Sequence, residues 1–309
     1  MEIQRCMAII LLNYNSEEDL FVCTKQINKQ VGVDLITIVV DNASCSKCVK
    51  NIKTWENIFE EKPYSGSKKE LFDLIENNKL DGNTFSTFFI YNDENKGYSA
   101  GNNIGIKLAD YLGVDAVLIA NPDMRFENEK YIYELSKVLF SNQKYFIAAS
   151  RIIGLDGKDQ NPWREAEFTE ELLWPLWLVW KKSYAIDYPK DNIVTVPKVC
   201  GCCFMAKMDF LREIGYFDEN TFLYSEEPIL SAQVKEKQGA IVFTPVIEAI
   251  HAHKKSEKEN SSKRMLLFIK SRKYYLKKYS GYNRIKLLIL NLSYAVLALL
   301  HKIKIGVNR

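Results

Sequence analysis

Four carboxylates and a histidine pair carry the chemistry open to this sequence. Asp123 closes the run Val117-Leu118-Ile119-Ala120-Asn121-Pro122-Asp123, in which a stretch with the apolar character of a buried strand ends on a carboxylate. In an open α/β sheet, ligands bind beyond the carboxyl ends of the strands, so a carboxylate there is placed to hold a divalent cation against a diphosphate. Asn-Pro-Asp is also a common turn sequence, and its meaning depends on its company. Glu226 and Glu227 stand together in Phe222-Leu223-Tyr224-Ser225-Glu226-Glu227-Pro228-Ile229-Leu230, ahead of an apolar helical pattern. Such a pair suits a helix N-terminus, where it favours the dipole, and it offers a general base. Asp41 follows the apolar run Ile36 to Val40, and the histidines lie in Ile250-His251-Ala252-His253.

The elements that must position these groups are legible from the same runs. Met7 to Leu12 reads as a first strand ending on Asn13-Tyr14-Asn15, and Ile36 to Val40 as a second ending on Asp41-Asn42-Ala43-Ser44. Asn95 to Ile106 reads as a Gly- and Asn-rich loop entering a helix through Lys107, Leu108 and Ala109, with Gly97, Gly101, Asn102 and Asn103 expected against a ligand. Glycine permits close backbone approach, and helix N-termini favour anions. Three apolar runs thus end in polar groups that could face one crevice. This is a nucleotide-site layout, although the glycine spacing is neither a dinucleotide fingerprint nor a P-loop.

Taken in order, these motifs resemble the inverting family 2 glycosyltransferases with a GT-A fold, particularly the rhamnosyltransferase-like branch that builds bacterial surface polysaccharides. The resemblance spans roughly Met7 to His253. It rests on Asn13-Tyr14-Asn15, Val40 to Ser44, Gly97-Tyr98-Ser99-Ala100-Gly101-Asn102-Asn103-Ile104-Gly105 and Asn121-Pro122-Asp123, then on Gly201-Cys202-Cys203-Phe204-Met205, Ile214 to Glu219, Phe222 to Glu227, and a histidine after Thr244-Pro245. It implies a Rossmann-like, mainly parallel central sheet flanked by helices. The implied activity is metal-dependent transfer of a sugar from a UDP- or dTDP-sugar to a growing glycan or lipid-linked saccharide. Asp41 would accept from the imide N–H of uracil or thymine, with Asn13 and Tyr14 in the same pocket. Asn15, Asn42 and Asn121 complete the implied nucleotide-sugar lining. Asp123 would hold Mn²⁺ or Mg²⁺, with His251 the better-spaced histidine beside it. Members usually carry Glu-Asp where this chain has Glu226-Glu227; Glu227 inherits the base role, and Glu226 stays open as the alternative. A second aspartate often precedes the first, where Asn121 stands here, so single-carboxylate anchoring is expected.

Composition is consistent with this and excludes little. A chain of 309 residues that is 47% hydrophobic can bury one sizeable α/β core with an appendage. With 42 Lys and Arg against 39 Asp and Glu, nothing demands a nucleic-acid partner. Seven cysteines, and no charged, apolar and cleavable leader before the first strand, predict a reducing cytoplasmic setting. Cys45-Ser46-Lys47-Cys48 has zinc-ligand spacing but no second pair to complete four ligands, and Cys202-Cys203 reads as buried strand.

Residues 1–253 are expected to form the catalytic domain, with 1–125 as the nucleotide-sugar half and 126–253 as the acceptor and catalytic half. Lys50 to Phe85 reads as a surface insertion. The segment Leu172 to Trp180 holds three tryptophans and a proline, and its default reading is internal packing. Residues 254–309 form a basic, amphipathic helical extension, whose apolar run from Leu287 to Leu300 is too short to span a bilayer. Lysines at both ends and interleaved tyrosines predict a helix lying on the inner face of the plasma membrane. The alternative is packing on the catalytic domain or on a second subunit of a homodimer. Two other functions remain open. A nucleotidyltransferase would need a basic phosphate loop, which Leu11 to Ser16 is not; an inactive carbohydrate-binding scaffold would have no need of Asp123 with Glu226 and Glu227.

Overall fold

The computed structural model describes residues 5–56, 62–80, 84–173, 187–253 and 261–307. The tryptophans of the 172–180 segment lie outside these residues. In chain order, β1 (Cys6–Asn13), α1 (Glu17–Ile27), β2 (Asp34–Asn42) and α2 (Ser46–Glu56) open the fold. They are followed by β3 (Tyr64–Ser67), α3 (Lys68–Glu76), β4 (Thr87–Asn92), α4 (Tyr98–Tyr111) and β5 (Ala116–Ala120). These strands pair in parallel in the order β3-β4-β2-β1-β5. Met7 to Leu11 are completely buried, as expected of a strand covered on both faces. Leu20, Cys23 and Ile27 of α1, with Cys48 and Ile52 of α2, share one layer with Met7, Ile9 and Leu11; Ile104, Ile106 and Leu108 of α4 cover Ala8 and Ile10 on the other face.

The second half extends the sheet with mixed direction. It comprises β6 (Met124–Arg125), α5 (Tyr131–Phe140), β7 (Tyr145–Gly154), α6 (Phe168–Leu172), β8 (Val194–Val196), β9 (Cys203–Lys207), α7 (Met208–Glu213), α8 (Glu226–Glu236) and β10 (Ala240–His251). The order continues β5-β9-β7-β10-β6, with β8 on β10. β9 runs antiparallel to both β5 and β7, whereas β7 and β10 are parallel. Antiparallel β9 therefore puts its N-terminal end, at Cys203, beside the C-terminal end of β5, at Ala120. That pairing brings the Gly201-Cys202 segment to Asn121.

Two expectations need correction. Lys50 to Phe85 is not simply a surface insertion, because Tyr64–Ser67 adds an edge strand to β4 and Ser67 and Glu70 form a reciprocal capping box that starts α3. The sequence carries a signal for it, since Ser followed three residues later by Glu is a helix-start pattern. The stretch Asn95 to Ile106 is also mostly helix, since α4 begins at Tyr98. Gly101 and Gly105 lie inside it, and a Cβ on either would strike Leu12 or Ile10 of β1. Glycine there lets helix and strand approach; the ligand is not needed to explain it. Gly97 alone has the loop geometry, with φ of 103°, and its Cα faces the backbone of Phe222.

The C-terminal segment is a hairpin of α9 (Ser261–Lys278) and α10 (Arg284–Val307). Ile269 and Leu276 pack with Leu290, Tyr294 and Leu297, and Phe168 and Leu172 of α6 join them. Buried Glu171 accepts from Arg272 Nε (3.1 Å) and from the hydroxyl of Tyr294 (2.5 Å), while Ser293 donates to the carbonyl of Leu172 (2.6 Å). A carboxylate buried this way is tolerable because its partners come with it. The extension thus packs one face on the catalytic domain.

Gly97→Ala combines a positive φ with a backbone collision that no side-chain shift relieves. It should destabilise the protein by about 2 kcal/mol or more, read as a lower chemical-denaturation midpoint. Gly101→Ala, which meets the movable end of Leu12, should cost less.

Candidate active site

Side-chain amides tie together the C-terminal ends of β1, β2 and β4, and β5 ends beside β1 on the same edge of the sheet. Asn13 Nδ2 donates to Asp41 Oδ1 (2.8 Å) and Ser44 Oγ (3.2 Å), and the Ser44 amide donates to Asp41 Oδ2 (3.0 Å). Asn15 adopts a left-handed conformation, φ 54°, and its Oδ1 accepts from the Cys45 amide (2.8 Å). Asn42 donates to Asn95 Oδ1 (3.0 Å) and to the carbonyl of Gly97 (3.2 Å) and accepts from Asn92 Nδ2 (3.1 Å). Asn13, Asp41 and Asn42 are buried and preset, while Tyr14 is half exposed at the rim.

Asn102 and Asn103 are spent on the protein. Asn102 donates to the Tyr98 carbonyl (3.0 Å), though its Oδ1 is buried without a partner. Asn103 exchanges hydrogen bonds with the backbone of Phe217 and donates to Glu219 (2.8 Å), fixing the loop that leads to α8. Gly101 packs on Leu12 of β1, and Asn103 tethers the Phe217–Glu219 loop.

Asp123 sits just past β5. Its carboxylate meets His251 Nε2 at 3.2 Å and His253 Nδ1 at 3.1 Å, and the three ligand atoms lie within 4.8 Å of one another. His251 Nδ1 lies 2.7 Å from Gln160 Oε1; with the amide oxygen accepting, the proton is on Nδ1 and Nε2 presents its lone pair. Asp123 Oδ1 and His251 Nε2 are buried, face each other and complete no hydrogen bond. Two buried acceptors in such proximity fit a divalent cation bound between them. Burial alone would raise the Asp123 pKa, but the two imidazoles beside it outweigh burial, so the carboxyl is held below its usual range. His253 joins the cluster beyond the sequence expectation. Its signal is the two-residue spacing from His251, which puts alternate residues of an extended chain on one side.

Glu226 and Glu227 are the first residues of α8, after the left-handed pair Tyr224 and Ser225. Glu227 Oε1 accepts from the amide of Gly201 at 3.3 Å, and the carbonyl of Gly201 accepts from the Tyr98 hydroxyl at 2.6 Å. The next carbonyl, of Cys202, accepts from the Asn121 amide at 2.8 Å. Glu226 and Glu227 both line an apolar cavity with Ile147, Phe204, Phe217 and Leu230, and the buried Oε1 of Glu226 has no partner. Burial first, and the neighbouring charge of Glu227 second, push the Glu226 pKa up to about 8.

The loop before α8 is gripped from both sides. Tyr98 N donates to the Phe222 carbonyl (2.9 Å) from the start of α4. From α9, Ser271 donates to the Leu223 carbonyl (2.7 Å), Phe268 packs edge-on against Tyr224, and Tyr274 and Lys278 donate to Asp218 (2.7 and 2.9 Å), as does Tyr279 beyond the helix (2.5 Å). Burial would raise Asp218, but the tyrosine hydroxyls hold it well below the carboxylate range. Nothing local in the sequence connects Asp218 to residues nearly sixty positions later.

The architecture is the GT-A fold. No family model matches the chain. The low-salt glycan biosynthesis hexosyltransferase Agl10 of Haloferax volcanii is 27% identical over 249 residues, 79% of this chain; the chain spans about two thirds, 66%, of that relative's length. Among solved structures it is similar to GalNAc-T7 with UDP, GalNAc and Mn²⁺, at a TM-score of 0.61 and 15% identity over 91% of this chain and 50% of that one. It is also similar to the mannosyltransferase PcManGT of Pyrobaculum calidifontis with GDP-Man and Mn²⁺, at 0.58 and 11% over 99% and 75%. By fold and by sequence, then, the chain is similar to glycosyltransferases.

An acid whose pKa is raised in the folded state binds its proton more tightly there, so its stabilising contribution is present at low pH and falls as pH rises toward the folded value. Wild type should lose thermal stability between about pH 5 and 8 relative to Glu226→Gln, whose amide does not titrate. Melting temperatures of both across that range, with parallel curves contradicting the assignment, test it.

Proposed function

We propose that this protein is an inverting, metal-dependent glycosyltransferase that moves a sugar from a UDP- or dTDP-sugar to a hydroxyl of a growing cell-surface glycan. The observation that carries this reading is the junction at Gly201 and Cys202, which links a carboxylate on α8 to Asn121, two residues before Asp123 of the Asp123-His251-His253 cluster. The glycosyltransferase names of the relatives support the class.

In this reading the nucleotide base lies at Asp41, whose orientation Asn13 and Ser44 preset, with Tyr14 at the rim. Asp123, His251 and His253 would hold the cation, and two imidazoles favour Mn²⁺ over Mg²⁺, which prefers oxygen ligands. When bound, that ion stabilises the negative charge on the leaving diphosphate. Glu227 is the base: its carboxylate is aimed by the Gly201 amide, whereas the buried Oε1 of Glu226 has no partner and burial pushes its pKa up to about 8. The acceptor oxygen gives its proton to Glu227 and bonds to the anomeric carbon. The bond to the diphosphate breaks on the opposite face, so configuration inverts.

Glu227→Gln should leave Mn²⁺-dependent donor binding within about threefold of wild type and lower turnover by roughly 10²-fold or more. Asp123→Ala should instead abolish the Mn²⁺ dependence of binding. Calorimetric titration with nucleotide sugars, alongside donor hydrolysis, separates them; an equal loss of affinity in both variants would refute this division of roles.

A further inference from the structure

Helix α10 has two faces of different fate. Leu290, Tyr294 and Leu297 are buried against α9 and α6. Ile285, Leu288, Leu292, Val296 and Leu299 are exposed, Leu288 and Leu292 by 72% and 70%. Their spacing of three, four, four and three residues puts them on one stripe along the helix. The apolar composition of α10 is therefore more than its packing consumes, and a stripe of this kind marks a contact surface.

Charge selects what covers it. From Ser261 to Val307 the hairpin carries eleven Lys and Arg and no Asp or Glu, whereas the whole chain has a net charge of only +3. A two-fold pairing through this surface would set one cationic hairpin against an identical one, because such an interface presents the same patch on both sides. An anionic lipid surface complements it, and apolar side chains between basic ones are the pattern of a helix lying in the headgroup region. No helix among the described residues is long and apolar enough to cross a membrane.

We propose that the α9–α10 hairpin docks on an anionic lipid bilayer, with the Ile285-Leu288-Leu292-Val296-Leu299 stripe entering the interface and the hairpin's cations other than Arg272 and Lys278, which are held by Glu171 and Asp218, meeting lipid phosphates. The same α9 grips the loop before α8, so the docked element is continuous with the support of the crevice. The inference does not depend on the transferase reading, because binding is measured without turnover.

The full chain is mixed with vesicles of phosphatidylcholine alone or with about a third phosphatidylglycerol, and its sedimentation with them is compared with that of a Leu288→Glu/Leu292→Glu variant. Wild type should sediment with the anionic vesicles and far less with the neutral ones. The variant should bind about tenfold more weakly or worse, with an unchanged melting temperature because both side chains are in solvent. Failure of wild type to bind anionic vesicles, equal binding to both vesicle types, or undiminished binding by the variant overturns the proposal. A wild-type dimer that the variant converts to monomer, without vesicle binding, would assign the stripe to a second copy instead.

Discussion

The backbone groups of two consecutive residues, Gly201 and Cys202, hold the site in register. Through them the start of α8 is tied by Glu227, the start of α4 by Tyr98, and the tip of β5 by Asn121. Backbone groups cannot rotate away as side chains do, so a carboxylate and the Asp123-His251-His253 cluster from distant parts of the chain keep a fixed relation. A Cβ at 201 would lie 3.0 Å from Glu227 Oε1, so a side chain there would push the carboxylate aside by a few tenths of an ångström. Preorganisation of this kind is what a site acting on developing charge requires.

The junction works because the elements it joins are held elsewhere. Gly97, Gly101 and Gly105 bring α4 close to β1 and to the Phe222 backbone, and Asn103 and α9 hold the loop before α8. Glu226 is then left in an apolar cavity beside a second carboxylate, an arrangement costly for a charge and cheap for a neutral acid. Both glutamates line that cavity, and they differ in that Glu227 accepts from the Gly201 amide while the buried Oε1 of Glu226 has no partner.

Much of this is legible in the sequence. Buried parallel strands show as continuous apolar runs, and the polar residues that end those runs single out Asn13, Asp41 and Asp123. The glycines are ambiguous in sequence, because glycine serves both ligand approach and close helix packing, and the close packing on Leu12 and Ile10 shows only in the fold. β3 leaves little trace because Tyr64–Ser67 is short, half polar and at the sheet edge, where little burial imprints a pattern. The α9 grip is out of reach of sequence reasoning, since Asp218 finds Tyr274 and Tyr279 only through tertiary folding. For the C-terminal helix, packing and exposure occupy opposite faces, so its hydrophobicity alone speaks for either.

The central claim is that the strand-end crevice binds a nucleotide diphosphate together with a divalent cation. Its most direct test is the melting temperature of the purified protein with UDP, dTDP and GDP and their sugars, each with and without Mn²⁺. A ligand that binds only the folded state raises the midpoint. The account predicts a Mn²⁺-dependent rise with UDP or dTDP compounds, lost in Asp123→Ala. No rise with any nucleotide in well-folded protein with Mn²⁺ present would contradict it.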